Sequence, residues 1–371
     1  MMEHEHEDET IEAEVDGFDN DSAYAGSSSG SLTETLSSTI SRGVEEYGRT
    51  CKLIHSIPAV AFSRHTELIL PPPDAAYGNE EYGLPIDEEE LDRIDMSHAK
   101  YGMLLEKKLF LAPITTKPQK ILDIGTGTGI WAIDMAELYP SAEVLGLDIA
   151  PTQPQWVPPN CIFQLDDVEL PWTLDANSYD FIHGRDLLLS IRDWPNLVKQ
   201  CYKTLKPGGY LELQCIYPRL KCDDDSTPPD SGLMMFSNYA LDASTKMGAP
   251  LDACIHYADY MSSAGFEDLV ERRYKLPSSP WAREKRMKLI GAFELHNLLR
   301  GVSAMSLRMF SKAYGWSQSQ IELFLVQARK DMQDRRFHSY YDFVIVYGRK
   351  PGGSEPVPTP ESEPGSAVQV A

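Results

Sequence analysis

Residues 121–131 read ILDIGTGTGIW. Aliphatic residues run into three glycines spaced by threonines, and a helix-forming stretch, IWAIDMAELYP, follows at once. A strand that hands its end to a glycine turn and then to a helix N-terminus builds a ligand site: glycine lets the backbone approach, and the helix points free amides at the ligand. The dinucleotide fingerprint is G-x-G-x-x-G, whereas here Gly125, Gly127 and Gly129 alternate and Ile130 fills the sixth position. Asp123, at the end of the strand, is a second difference. Its carboxylate repels a pyrophosphate but accepts a hydrogen bond from an ammonium group. The turn Gly125, Thr126, Gly127, Thr128, Gly129 is therefore expected to bind an amino-acid nucleoside rather than a dinucleotide.

Further acids recur at strand ends. Asp148 closes EVLGLD, with Ile149 beside it, about twenty residues beyond the glycines, where a carboxylate accepts from both ribose hydroxyls. Asp166 and Asp167 close CIFQLD, where a carboxylate accepts from an adenine amino group while the backbone of Val168 meets the ring. YDFIHG, YLELQC, DLVERRYKL and YYDFVIVYGRK read as further strands. Helices alternate with them, among them one capped by Asp193 with Pro195 in its first turn and one opened by a Ser317 to Gln320 capping box. The pattern predicts an open, mostly parallel α/β sheet. A lead-in helix starts at Asp87, and EKRMKLIGAFELHNLL and SAMSLRMFSKAYG read as two helices before the last one.

Segments that follow parallel strands leave from the same sheet edge as the glycine turn. Residues 216–250 and 278–338 are thus predicted to roof the site. Their apolar residues, among them Phe236, Trp281, Met305, Met309 and Phe310, are expected to supply helical core and part of an apolar pocket.

The chain has 371 residues, 42 % of them hydrophobic, enough for a sizeable core, and a formal charge of −22. Residues 1–41 hold eleven Asp and Glu and no Lys or Arg. So acidic a balance, without a basic stripe, argues against nucleic acid as a partner. His4 and His6 read as part of a solvated tail, and no metal site is expected. No apolar run reaches the roughly 18–20 residues of a membrane span, and no signal-peptide pattern opens the chain. A cytoplasmic protein is expected, with the nucleus as alternative. The six cysteines have no C-x-x-C spacing and read as reduced thiols. The predicted organisation is a disordered acidic tail at 1–41, a partly irregular segment at 42–86, one domain at 87–351 with a helical cap at 278–338, and a disordered tail at 352–371.

ILDIGTGTG, the acid of LGLDI, LDDVELPW, YDFIHGRDLL and LKPGGYLEL together resemble class I S-adenosylmethionine-dependent methyltransferases. LPIDEEELDRIDMSHA, GTGTGIWAIDMAELYPSAEV, QPQWVPPN, SIRDWPNLVKQCYKTLKPGGYLELQ, AGFEDL and YYDFVIVYGRKP are similar to the fungal LaeA-like methyltransferases of secondary metabolism. The resemblance covers residues 80–351, and residues 52–73 interrupt a tyrosine-rich segment that relatives join directly to it. It implies a Rossmann-like sheet with an antiparallel last strand, S-adenosyl-L-methionine as cofactor, and Asp123, Gly125, Thr126, Gly127, Thr128, Gly129, Asp148, Ile149, Asp166, Asp167, Val168 and Arg185 as its binding residues. Many such enzymes carry a basic histidine after the fourth strand, where this chain has Leu189 and Ser190. No general base is assigned; His98, His183 and Glu212 are candidates, Glu212 because an acid inside a strand suggests a cavity-facing position.

Three functions stay open. One is methylation of a small, largely apolar metabolite, and another is a nuclear regulator of secondary metabolism acting through protein partners or protein methylation. The third, an NAD-dependent oxidoreductase, is disfavoured by Ile130 and Asp123.

Overall fold

The computed structural model describes residues 3–6, 10–14 and 88–352. The predicted segment at 42–86, the rest of 1–41 and residues 353–371 lie outside the described residues. In chain order the elements are β1 (Glu3–His6), α1 (Glu88–Leu104), β2 (Lys120–Ile124), α2 (Ile130–Leu138), β3 (Glu143–Asp148), β4 (Cys161–Leu165) and β5 (Tyr179–Arg185). They continue with α3 (Trp194–Thr204), β6 (Leu205–Cys222), α4 (Gly232–Lys246), α5 (Tyr257–Ala264), β7 (Glu267–Pro277), α6 (Lys285–Tyr314), α7 (Gln318–Met332) and β8 (Ser339–Arg349).

One sheet runs β1-β7-β8-β6-β5-β2-β3-β4. All neighbours are parallel except at β8, which lies antiparallel between β6 and β7. The order reverses at β2, so a crevice opens beyond the carboxyl ends of β2 and β5, where open α/β sheets bind ligands. Alternation along the strands feeds two apolar layers. Ile121, Val144 and Phe181 meet Trp131, Ala132 and Met135 of α2. On the other face Leu122, Ile124, Ile182 and Leu213 join a cluster that reaches Val302 and Phe310 of α6 and Ile321 and Leu325 of α7. The predicted cap therefore shares the sheet's main core.

Where the sequence pattern predicts two helices, α6 is a single helix of 30 residues. Gly301 does not break it. A Cβ there would stand 3.2 Å from Cδ of Arg93 on α1, so the glycine serves close helix approach rather than termination. The capping expectations match the structure: Asp193 accepts from Asn196 N–H at the start of α3, and Ser317 with Gln320 forms the capping box of α7.

Two pieces of the acidic head lie on the fold, contrary to a wholly disordered tail. Glu3–His6 extends the sheet parallel to β7, and Ala13 bridges Ala282. Ile11 and Ala13 pack against Trp281 and Tyr340, while the Glu14 carboxylate is bound by Lys288 at 2.6 Å and by Arg335. Cations on the helical cap give this acidic stretch a partner, which its own composition does not reveal.

Candidate functional site

The glycine turn after β2 is pressed under the segment that follows β5. Gly125 has φ +65°, and a Cβ on it would stand 2.2 Å from Cδ2 of Leu187. The positive φ favours glycine, and a side chain there would have to displace the Leu187 methyl. Gly129, with φ +81°, is the left-handed residue that starts α2. Above this turn lies a cavity of about 230 Å³ at the carboxyl edge of the sheet. A larger one, about 780 Å³, lies between residues 10–12, the end of α1 and the start of α6. It holds none of the glycines or strand-end acids, so the smaller cavity is the site.

Asp123, Gly125, Thr126, Gly127, Asp148, Ile149, Asp166, Asp167, Val168, His183 and Arg185 all line this cavity. Asp123 is fixed through both oxygens: the Thr126 hydroxyl donates to Oδ2 at 2.6 Å, and His183 Nδ1 lies 2.8 Å from Oδ1. Asp123, His183 and Glu212 stand in one register row across β2, β5 and β6. His183 stacks on the Trp131 indole, with ring centroids 3.7 Å apart. Burial lowers its pKa against the pull of Asp123. A neutral ring donates from Nδ1 to Asp123, and the Gln214 side chain is its other polar neighbour.

Asp148 accepts from Gly127 N–H at 2.7 Å and from Ala150 N–H at 2.9 Å. Burial pushes its carboxyl up to about 6, the backbone donors opposing. At β4, Asp166 accepts from Asp167 N–H and Asp167 from Glu169 N–H. The Val168 carbonyl is held by Trp172 Nε1 and Gln200 Nε2.

Four candidates lie off the cavity wall. Gly129 caps α2, and the Thr128 hydroxyl donates to Asp95 of α1 at 2.6 Å. His98 sits behind Arg185, 3.0 Å from its Nη2. Glu212 is fully buried and accepts from the N–H groups of Leu111 (2.8 Å) and Ala112 (2.6 Å). It fastens the segment before β2 to the sheet, and burial raises its carboxyl to about 7. An acid inside a strand did mark a polar requirement, but one set by backbone amides rather than by a ligand. Of the apolar residues named on the roof, Phe236, Met305 and Met309 line the cavity; Trp281 packs under the N-terminal stretch instead.

The wall facing the glycine turn comes from α1 and α6. The Tyr101 hydroxyl donates to Asp186 Oδ2 at 2.6 Å, and Ile216 N–H donates to Oδ1 at 2.9 Å. Asp186 itself has φ +49°, a strained backbone of the kind found at binding sites. Arg93 grips Glu90 with Nε and Nη2 and Asn297 with Nη1, and Lys100 forms a buried ion pair with Glu294. Sequence reasoning passed over this set. The available signal was the spacing i, i+4 and i+8 of Arg93, Ser97 and Tyr101 on one face of a helix, and Glu294 and Asn297 inside an apolar run.

A methyltransferase-domain family model matches residues 96–300. The chain belongs to this methyltransferase family. Over 271 residues, 73 % of this chain and 83 % of the relative, it is 38 % identical to methyltransferase pytC of Aspergillus terreus. It is 35 % identical to the secondary metabolism regulator LAE1 of Cochliobolus heterostrophus, covering 73 % of this chain and 90 % of that protein. A probable methyltransferase, tdiE, of Emericella nidulans is 30 % identical over 71 % of this chain and 82 % of its own length. The relatives are methyltransferases and regulators of fungal secondary metabolism, and the oxidoreductase reading is set aside.

The family's cofactor is S-adenosylmethionine, and the site fits it on its own chemistry. Gly125 and Gly127 line the cavity with positive φ, +65° and +57°, a backbone that glycine adopts readily and that lets the chain approach a ligand closely. Asp148 is a desolvated carboxylate whose ionised form hydroxyl donors would favour. Among the described residues, no helix is long and apolar enough to cross a membrane.

Proposed function

We propose that the protein methylates a small molecule with a largely apolar body, bound between the glycine turn and α6. The carrying observation is the continuity of the cavity. From the turn it runs into a pocket lined by Ile216, Phe236, Leu298, Met305 and Met309, with Asp186, Glu294 and Asn297 as its polar end. On this reading Asp123 receives the cofactor's ammonium group, Asp148 its ribose hydroxyls, and Asp166 or Asp167 with the Val168 backbone its adenine. When bound, S-adenosylmethionine supplies an electrophilic methyl group on a sulfonium. The chain's part is to align the acceptor and exclude water. The roof closes the cavity with apolar side chains. The cytoplasm suits a metabolite enzyme.

Methyl-labelled S-adenosylmethionine, incubated with the protein and a fungal extract, tests the reading. Label is expected in a small, solvent-extractable product. Met309→Trp, which fills the pocket, is expected to remove at least about tenfold of it while cofactor affinity stays within about threefold. The kinship to the regulator LAE1 supports a second reading, a nuclear protein acting on or through protein partners. Label confined to protein would decide for that one.

Cofactor affinity should also depend on pH through Asp148. The carboxyl of the cofactor-free fold is raised to about 6 from 3.8. Its contribution to stability is therefore full below about 4 and lost as pH rises through about 6. Ribose hydroxyls favour the ionised form, so binding below about 6 must release a proton and is expected to weaken up to about tenfold per pH unit. Calorimetry between pH 5 and 7, in buffers of different ionisation heat, reads this directly. Asp148→Ala should abolish the proton release and weaken binding by about ten- to a hundredfold. A pH-independent affinity in the parent would contradict the ribose assignment.

A further inference from the structure

The cavity wall carries two guanidinium groups, Arg93 and Arg185. Arg93 is spent, since all three of its nitrogens bind Glu90 or Asn297. Lys100, just behind the wall, is paired with Glu294. Arg185 differs. Among the described residues its hydrogen bond is from Nη2 to Nδ1 of His98 at 3.0 Å, and its guanidinium carbon lies 5.3 Å from the centre of the Tyr101 ring. The neighbouring Asp186 carboxylate is taken up by Tyr101 and by Ile216 N–H. A half-buried guanidinium held by a neutral ring and an aromatic face, with no carboxylate bonded to it among the described residues, is set up for an anion from outside the chain.

The strand order says which anion. The proposed cofactor contacts run along the sheet edge: adenine at Asp166 and Asp167 after β4, ribose at Asp148 on β3, then the glycine turn on β2. The remaining end of the molecule, its amino acid, must extend toward β5. Ile124 is in register with Gly184, which puts Arg185 level with Gly125 at the head of the turn. Asp123, one strand over, stands beside it.

We propose that Arg185 binds the α-carboxylate of the cofactor's methionine moiety, and that His98 and Asp134 form the device that aims it. This rests on the cofactor reading above. The protonation pattern of the device follows from the donors. Arginine has no acceptor, so His98 Nδ1 must be unprotonated and its proton sits on Nε2, donating to Asp134 Oδ2 at 3.0 Å. Burial, acting first, and the Arg185 charge both lower the His98 pKa, keeping that neutral form against the pull of Asp134. The guanidinium, the imidazole and the carboxylate come from β5, α1 and α2. Together with the bond from Thr128 to Asp95, they seat the lead-in helix on the turn. His98 is thus a positioning residue whose ring reaches the cofactor only through Arg185.

Two ligands separate the carboxylate contact from everything else: S-adenosylhomocysteine, which has the amino-acid moiety, and 5′-methylthioadenosine, which lacks it. Arg185→Met is expected to weaken S-adenosylhomocysteine binding about thirtyfold or more, the scale of a charge-assisted hydrogen-bond pair, and 5′-methylthioadenosine less than about threefold. His98→Ala should weaken the first ligand about five- to tenfold with the same selectivity. His98→Asn, whose carbonyl oxygen falls near the place of Nδ1, should restore most of it. Affinity for 5′-methylthioadenosine doubles as the check that each variant is folded. Equal losses for both ligands, or no loss for either, would overturn the assignment to the carboxylate. A loss in Arg185→Met with none in His98→Ala would overturn the role of His98 alone. Wild-type protein that binds neither ligand would overturn the cofactor reading, and the carboxylate assignment with it.

Discussion

Lys100→Met is expected to cost about 3–5 kcal/mol of stability, because it strips the partner from a buried charge. Lys100 is 0 % exposed and Glu294 1 %, and their ion pair ties α1 to α6 across the roof of the cavity. Taking two charges out of water gains little net stability when both are present, but leaving one behind is expensive. The double variant Lys100→Met, Glu294→Leu should therefore recover most of the loss. Urea unfolding of the two single variants and the double one measures this as a cycle. Additive losses would show that the pair is not coupled. Because Glu294 also lines the cavity, the double variant should keep its cofactor affinity yet lose transfer to the native acceptor. Stability and function are then separable at this pair.

Phe310→Ala should cost a similar amount, about 3–5 kcal/mol, through the cavity left in a packed core. Phe310 is 0 % exposed. The rings of Phe236, Trp316 and Phe324 stand 6.3, 5.6 and 5.8 Å from it, joining α6 to α4 and α7. The prediction distinguishes two pictures of the roof. If α6 and α7 were a detachable lid, truncating Phe310 would loosen the lid and leave global unfolding nearly untouched. The continuous cluster from Ile182 and Leu213 to Ile321 and Leu325 says otherwise. A loss under about 1 kcal/mol in chemical unfolding would favour the lid. For the same reason, excising residues 284–334 removes core as well as roof, and single pocket substitutions such as Met309→Trp are the cleaner probe of substrate choice.

The sequence by itself determined the parts whose chemistry is local. ILDIGTGTG joins strand, turn and helix within a few residues, so the dihedral demand at Gly125 and Gly129 is written beside the strand that sets their position. Asp148, Asp166 and Asp167 were legible because a strand's carboxyl end in a parallel sheet is a fixed place. The caps at Asp193 and Ser317 depend on neighbours three residues away. Only the tertiary structure decided the rest. Tyr101 meets Asp186, Arg93 meets Asn297 and Lys100 meets Glu294 across 85, 204 and 194 residues of chain, and no periodicity states which faces of α1 and α6 turn toward each other. Alternation put Asp123, His183 and Glu212 on one face, but both faces of this sheet are covered. What stands above each residue, a cavity for His183 and a backbone segment for Glu212, depends on which segment lies over it. Local sequence sets the geometry of a turn or a cap. Long-range packing decides which side chains face the ligand, because it alone brings distant helices together around the site.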